Sequence, residues 1–163
     1  MIVRQLLHRE PAVAASYLIG CGGKAVSAII DPVAPPEVYL ALAAELGTTI
    51  RFVIDTHVHA DHRSTGPELA QAAGAPYVLQ RDVRAGIGFL PVDDGERLEL
   101  GNVVAEVWHL PGHTPEHIGL VVTDRTRSAE PWLVFTGHTL MVGDMGRTEL
   151  ATTAVEGAEM LFA

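Results

Sequence analysis

The stretch Thr56-His57-Val58-His59-Ala60-Asp61-His62 decides how the rest of this chain is interpreted. It follows the apolar run at 50–55, which predicts a buried strand. Neutral imidazoles and carboxylates are ligands that zinc, iron and manganese accept. Alternate side chains of an extended segment share one side, so His57 and His59 are expected together, and a helix after them would turn Asp61 and His62 toward the same cavity. The run therefore predicts a metal site.

Two further histidines follow predicted strands. His113 lies in Leu110-Pro111-Gly112-His113-Thr114-Pro115, and His138 lies in Phe135-Thr136-Gly137-His138-Thr139. Functional side chains are concentrated in loops at strand ends, and glycine lets backbones approach closely. His113 and His138 are therefore expected to join the metal site.

Each of these residues has a simpler alternative when taken alone. Asp61 could cap the following helix, His62 could be an exposed first-turn residue, and His113 could be an ordinary turn residue. Their shared position at strand ends favours the metal site. The remaining histidines, His8, His109 and His117, are expected on the surface or in the core, although His109 could also support a ligand and His117 could face the mouth of the pocket.

Composition limits the function classes. The chain has 163 residues, 48% of them apolar and 19% charged, with a net charge of -9. These values predict one domain spanning 1–163, and the scattered basic residues argue against nucleic acid or an anionic membrane as partners. The lone Cys21 is typical of a reducing compartment, and no apolar run approaches a membrane span, so a cytoplasmic protein is expected.

The pattern of elements indicates an α+β protein. Strands are predicted at 2–8, 14–19, 25–30, 50–54, 77–79, 97–101, 103–110, 118–122 and 132–136. Helices are predicted at 36–46, 68–73 and 153–162, a loop at 80–91 and a turn at 92–96. Several strands follow one another without a helix, which favours antiparallel pairing.

Three motifs resemble the metallo-β-lactamase-fold superfamily, within it the branch of persulfide dioxygenases and hydroxyacylglutathione hydrolases (glyoxalase II). They are T-H-x-H-x-D-H at 56–62, P-G-H-T-P at 111–115 and F-T-G-x-T-L-x-x-G-D-x-G-R at 135–147, and the segments at 16–20 and 29–32 agree. The resemblance implies an αββα sandwich with the metal site at one edge between the sheets.

The resemblance implies two alternative ligand sets. In the hydrolases, positions matching His57, His59 and His113 hold one metal, and those matching Asp61 and His62 hold a second. An Asp bridges both metals and a further C-terminal His completes the second site. In the dioxygenases, one iron is held by the positions matching His57, His113 and that same Asp.

The chain departs from this family in two places. His138 stands at the position of the bridging Asp, and the chain ends within the predicted helix at 153–162, so the last strand and helix of the usual fold are missing and the fold is C-terminally shortened. An imidazole bridges two metals less readily than a carboxylate does, and it is expected to reach further than the Asp, so that the site geometry must adjust. Apolar Leu161 and Phe162 at the shortened end predict self-association into a homo-oligomer.

The resemblance leads to a ranked set of functional hypotheses. The first is a persulfide dioxygenase-like enzyme with one Fe²⁺ held by His57, His113 and His138, converting a small thiol persulfide and O2 to sulfite and thiol. His59 is also a candidate metal ligand, Asp61 and His62 are candidate catalytic residues, and Arg147 is a candidate for binding a substrate carboxylate. The alternatives are a zinc-dependent thioester hydrolase of the glyoxalase II type and an inactive member that still binds metal.

Overall fold

The protein contains two β-sheets packed face to face, as the αββα expectation requires. The computed structural model describes residues 1–163. One sheet has six strands in the order β1 to β6, and the other has four in the order β10-β9-β8-β7. The strands are β1 (Ile2–His8), β2 (Ala14–Cys21), β3 (Val26–Ile30), β4 (Thr49–Ile54), β5 (Tyr77–Gln80), β6 (Leu90–Val92), β7 (Arg97–Leu100), β8 (Val103–His109), β9 (Ile118–Asp124) and β10 (Leu133–Phe135).

Three helices complete the structure: α1 (Pro36–Glu45), α2 (Gly66–Ala73) and α3 (Ala154–Phe162). Gly74 caps α2 in the left-handed conformation, with φ of 63°, which explains why the helix ends where the sequence predicted. In α3, Leu161 packs against Gly112 in the turn after β8. None of the helices is both long enough and apolar enough to cross a lipid bilayer.

The central strands of the six-stranded sheet are buried on both faces, which explains their continuous apolar runs. Side chains of adjacent residues alternate between the faces of a strand. Ile19, Ile30 and Ile54 therefore face the second sheet, while Leu18, Ile29 and Val53 face α1 and α2. Burial on both faces fixes the register of these strands, because a one-residue slip would exchange the two sets.

Three expectations about local structure are wrong. The six-stranded sheet is mixed rather than antiparallel: β3, β4, β5 and β6 pair in parallel. Residues 90–92 form β6, where a loop and turn were expected. This short segment has little strand character of its own, and pairing with β5 supplies its backbone hydrogen bonds. The alternative in which Asp61 caps the following helix is also wrong, since α2 starts at Gly66 with Thr65 as its N-cap residue.

Candidate metal centre

The candidate site lies where four strands end at one edge of the sandwich. Asp31 follows β3, the histidine run follows β4, His113 lies in the loop after β8, and His138 follows β10. A hydrogen bond from the Ile118 backbone N–H to the Thr56 carbonyl, 2.7 Å, joins the two sheets here. The chain thus brings residues that are far apart in sequence to one edge.

Three histidine nitrogens converge at this edge. His138 Nδ1 lies 3.0 Å from His57 Nε2 and 3.2 Å from His113 Nε2. His57 and His113 are buried, and His138 is partly buried. Ligand atoms of a tetrahedral zinc site with bonds of 2.0–2.1 Å lie about 3.3 Å apart, so this spacing fits a transition metal.

The hydrogen bonds of two of these rings determine which nitrogen carries a lone pair. The Thr56 hydroxyl donates to Asp31 Oδ2 at 2.9 Å, so it accepts from Nδ1–H of His57, also at 2.9 Å. His113 donates its Nδ1–H to the Arg147 carbonyl at 2.8 Å. Both Nε2 atoms therefore face His138 Nδ1 as acceptors.

A cation would be a better partner for these three nitrogens than hydrogen bonds among them are. A neutral His138 can donate one Nδ1 proton to one of the two acceptors, which leaves the other buried lone pair without a partner. Burial, followed by repulsion from neighbouring histidines, moves the pKa of His57 far below its usual value, and burial also lowers the pKa of His138. Burial thus favours the neutral form, which binds metals, in His57 and His138.

His138 presents Nδ1 to the cluster rather than Nε2, and this corrects the expectation that the imidazole would reach further than a carboxylate. Nδ1 of histidine and Oδ1 of aspartate are each attached to Cγ, the same number of bonds from Cα. The donor atom of His138 can therefore reach as far from the backbone as an Asp oxygen can. A histidine at this position therefore offers a donor atom at the same number of bonds from Cα as an Asp, without the negative charge.

His59, Asp61 and His62 form a second group beside the first, with ligand atoms within 4.8 Å of one another. His62 Nδ1–H donates to Asp61 Oδ1 at 3.0 Å. The Nε2 atom of His62 and both ring nitrogens of His59 are buried without a hydrogen-bond partner. His59 lies beside His57, with ring centroids 4.2 Å apart, but its nitrogens do not join the three-histidine cluster.

Two buried carboxylates behind His59 were not singled out from the sequence. His59 Nε2 lies 3.4 Å from Asp31 Oδ1 and 4.0 Å from Asp55 Oδ1. Burial lowers the pKa of His59, but attraction to these carboxylates outweighs it and raises the pKa to about 9. Burial raises the pKa of Asp55 to about 6. The available signal was the position of each Asp directly after an apolar strand.

Asp31 is also a point of backbone strain. Its φ is 49°, which is uncommon for a residue with a side chain. Its carboxylate accepts from the Thr56 backbone N–H at 2.7 Å and from the Thr56 hydroxyl. The strained turn therefore places the Asp31 carboxylate against Thr56, whose hydroxyl accepts the Nδ1 proton of His57.

The remaining histidines differ in their surroundings. His117 is fully buried, and its Nε2 lies 3.1 Å from the backbone nitrogen of His138. Burial lowers the pKa of His117 to about 3. His109 is exposed, and its Nε2 lies 2.7 Å from the Pro115 carbonyl oxygen rather than near a ligand. His8 Nε2 lies 2.7 Å from Ser16 Oγ.

A cavity of about 960 Å³ opens onto the site. His57, His59, Asp61, His62 and His138 line its inner end. Its outer walls are largely apolar and include Leu7, Val13, Leu133, Val134, Leu140 and Val142. A cavity of this size and character suits a small organic substrate.

Arg147 lines a smaller adjoining cavity of about 250 Å³ together with Asp61, His113 and His138. Its side chain is largely exposed, and the nearest carboxylate oxygen, on Glu149, is 3.7 Å away. The guanidinium therefore forms one long, exposed ion pair and remains accessible to solvent. The Arg147 backbone has a separate role through its carbonyl, which orients His113.

Comparison with known proteins identifies relatives over nearly the whole chain. The family model "Metallo-beta-lactamase superfamily" matches residues 9–161. A hydroxyacylglutathione hydrolase of Acaryochloris marina is 31% identical over 156 residues, covering 91% of this chain and 59% of the relative. Persulfide dioxygenase ETHE1, mitochondrial, of Homo sapiens is 32% identical over 139 residues, covering 82% of this chain and 51% of the relative.

A solved structure agrees with this assignment. The crystal structure of ETHE1 from Myxococcus xanthus superposes with a TM-score of 0.85 at 33% identity, covering 99% of this chain and 67% of that one. The chain spans between about half and three fifths of the length of the two curated relatives.

Proposed function

The chain belongs to the metallo-β-lactamase superfamily, and from this membership we propose that it is a metal-dependent enzyme acting on a thiol-derived substrate, specifically a persulfide dioxygenase. The observation that carries the proposal is the cluster of His57, His113 and His138. Each of these residues contributes one nitrogen to the cluster, and His59 does not belong to it. Such a cluster supports one metal with three protein ligands.

The proposed cofactor is Fe²⁺ held by these three nitrogens. Iron held there would supply the electron transfer that lets dioxygen react with the sulfur of the substrate. The overall reaction is RSSH + O2 + H2O → RSH + SO3²⁻ + 2H⁺. The two sulfur atoms together lose four electrons, which reduce O2, and the S–S bond breaks so that the outer sulfur leaves as sulfite and the inner sulfur as the thiol.

Asp61 and His62 are proposed to handle protons at the inner end of the large cavity. Because His62 donates Nδ1–H to Asp61, its unpartnered Nε2 carries a lone pair that can accept a proton. Arg147 is proposed to bind a carboxylate of the thiol carrier from the smaller cavity. The apolar outer walls of the large cavity would surround the rest of the carrier and exclude water.

A zinc-dependent thioester hydrolase is the second candidate. The second group of His59, Asp61 and His62, with three unpartnered nitrogens, favours it because the group could hold another cation. A hydrolase of this kind uses a hydroxide bound between two metals. The neutral His138 weakens this candidate, since it offers one lone pair where a bridging carboxylate offers two oxygens. An inactive member that binds metal is the third reading.

Metal content followed by two assays tests the proposal. Protein purified without added metal should contain about one iron per chain, and it should consume O2 when supplied with a thiol persulfide. The matched control is His57→Ala, which removes a ligand and should lose both the iron and the O2 uptake. Zinc together with thioester cleavage would instead support the hydrolase, and absence of both activities would support the inactive reading.

A further inference from the structure

The proposed function assigns no role to His117, which is a buried polar residue. Its ring lies parallel to that of His57, with centroids 4.9 Å apart and planes at 18°. It is completely shielded from solvent. A fully buried polar ring needs hydrogen-bond partners, and those of His117 show which of its nitrogens carries the proton.

The partners of His117 fix its protonation. Its Nε2 accepts the backbone N–H of His138 at 3.1 Å, so Nε2 carries the lone pair and Nδ1 carries the proton. Nδ1–H in turn faces Thr139 Oγ1 at 3.2 Å. His117 therefore contacts the backbone N–H of His138 through one ring nitrogen and the side chain of the next residue, Thr139, through the other.

The neighbouring backbone is shaped to allow this contact. Gly137 has a φ of 51°, and a Cβ built there would lie 2.5 Å from His117 Nε2. On the other side, the His138 carbonyl accepts the Gly146 backbone N–H at 2.6 Å. The peptide groups flanking His138 are thus anchored at both ends, which limits the directions that its side chain can take.

We propose that His117 is a positioning residue that holds His138 so that Nδ1 of His138, rather than Nε2, enters the metal cluster. The inference rests on the metal site of the proposed function but not on its reaction. If the backbone at 137–139 moved, Nδ1 would leave the point that it shares with His57 and His113. His117 would not touch the metal or the substrate.

Two substitutions separate positioning from simple packing. His117→Phe keeps a ring but removes the acceptor for the His138 N–H. His117→Gln keeps an acceptor, because Gln Oε1 and His Nε2 are the same number of bonds from Cα. Loss of an outer partner of a metal ligand costs about 10–100-fold in metal affinity, and that loss is expected for H117F. H117Q is expected to recover most of it. His109→Phe, at an exposed histidine in the same part of the chain, is the matched control and should leave affinity unchanged.

The readouts are the affinity for Co²⁺ or Zn²⁺ by chelator competition and the Co²⁺ absorption spectrum, measured on variants shown to be folded by circular dichroism. Equal affinity of folded H117F and the parent would overturn the proposal, as would equal losses in H117F and H117Q.

Long-range ¹H–¹⁵N spectra of the parent test it independently of any variant. They should show His117 protonated at Nδ1, and protonation at Nε2 would contradict the assignment. A protein that binds metal this way but lacks dioxygenase activity would refute the proposed reaction and leave the role of His117 intact.

Discussion

At the scale of the residue, the character of this site depends on His138. The motif resemblance predicts an Asp at this position, and Nδ1 of histidine is the same number of bonds from Cα as an Asp oxygen. The proposed ligand role of His138 therefore keeps a donor atom at that reach and removes one negative charge. A divalent metal held by three neutral imidazoles would keep its full charge of +2. Such a site would attract an anionic ligand, such as a persulfide anion, more strongly than a site that contains a carboxylate.

His138→Ala and His138→Asp test this interpretation. Removing even an outer-shell partner costs about 10–100-fold in metal affinity, so H138A, which loses a direct ligand, should lose at least that much. H138D should keep metal binding and shift the preference toward Fe²⁺, since it restores a carboxylate at the same reach. The measurement is affinity for Fe²⁺ and Zn²⁺ by competition. Unchanged affinities in H138D would mean that His138 is not a ligand.

Thr56 provides a second test at this scale, because its hydroxyl links Asp31 to His57. Thr56→Val removes the acceptor for His57 Nδ1–H and leaves Asp31 Oδ2 without its donor. The loss of stability should be about 1–3 kcal/mol, the cost of an unsatisfied buried polar group, and metal affinity should fall as His57 loses its fixed tautomer. Urea unfolding and metal titration measure the two effects.

Thr65→Val is the matched control for T56V. The Thr65 hydroxyl also donates to a partly buried acceptor, the Ala34 carbonyl at 2.8 Å, but it is not bonded to a metal-competent side chain. T65V should therefore reduce stability without a specific loss of metal affinity. An equal loss of metal affinity in both variants would contradict the proposed link between Asp31 and His57.

At the scale of the element, the loops after the strands carry the site, and glycines make their close approach possible. Sequence motifs identified these loops correctly as places where histidines cluster. They did not identify why Gly137 and Gly146 are needed, because the atoms they avoid belong to His117 and His113, far away in sequence. Only the packing of the two sheets creates those contacts.

Gly137→Ala is predicted to be more harmful than Gly143→Ala. Both glycines have positive φ, 51° and 79°, so each substitution costs about 1–2 kcal/mol from backbone conformation. At Gly143 nothing lies within 4 Å of an added Cβ, whereas at Gly137 the Cβ would collide with His117 and Thr56. Thermal unfolding should show the larger loss for G137A, and metal affinity should fall only in that variant. Equal behaviour of the two variants would refute the close contact.

Asp124 at the end of β9 should make stability depend on acid pH. Its carboxylate accepts from the hydroxyl and backbone N–H of Thr126 and from the amino group of Met1, which lowers its pKa to about 2. An unfolded Asp has a pKa of about 3.9, so the stabilisation is complete above that pH and is lost as the pH falls toward 2.

Denaturant unfolding between pH 2 and pH 7 tests the role of Asp124. Asp124→Asn should lower stability at pH 7 and flatten the dependence on acid pH. Glu130→Gln, an exposed substitution in the same connection between β9 and β10, should leave the pH dependence as it is. The role assigned to Asp124 is wrong if D124N follows the parent across the whole range.

At the scale of the whole molecule, the candidate metal ligands belong to both sheets, since His57 follows β4 and His113 and His138 follow strands of the other sheet. A cation bound there would tie the two layers together at one edge. Binding that is confined to the folded state adds to its stability.

Removal of the metal should therefore lower the melting temperature. At 100 times the dissociation constant a ligand adds about 2.7 kcal/mol, which for a protein of this size corresponds to a shift of about 5–10 °C. The measurement is a melting curve of metal-loaded protein with and without excess chelator, followed by restoration of the metal. The same experiment on H57A should show no shift. A chelator-insensitive parent protein would contradict a metal that spans the sheets.

The sequence by itself determined the fold class, the helices to within two residues, and the loops in which the candidate ligands lie. These follow from local information: apolar runs, glycine and proline signals, and the spacing of histidines in short motifs. The tertiary structure decided the parallel pairing in the six-stranded sheet, the separation of His59 from the three-histidine cluster, and the use of Nδ1 by His138. It also brought Asp31 and Asp55 against His59, and His117 against His57 and His138. These features depend on contacts between segments distant in sequence, which local patterns do not encode, because the same residues would suit several arrangements until the two sheets pack together.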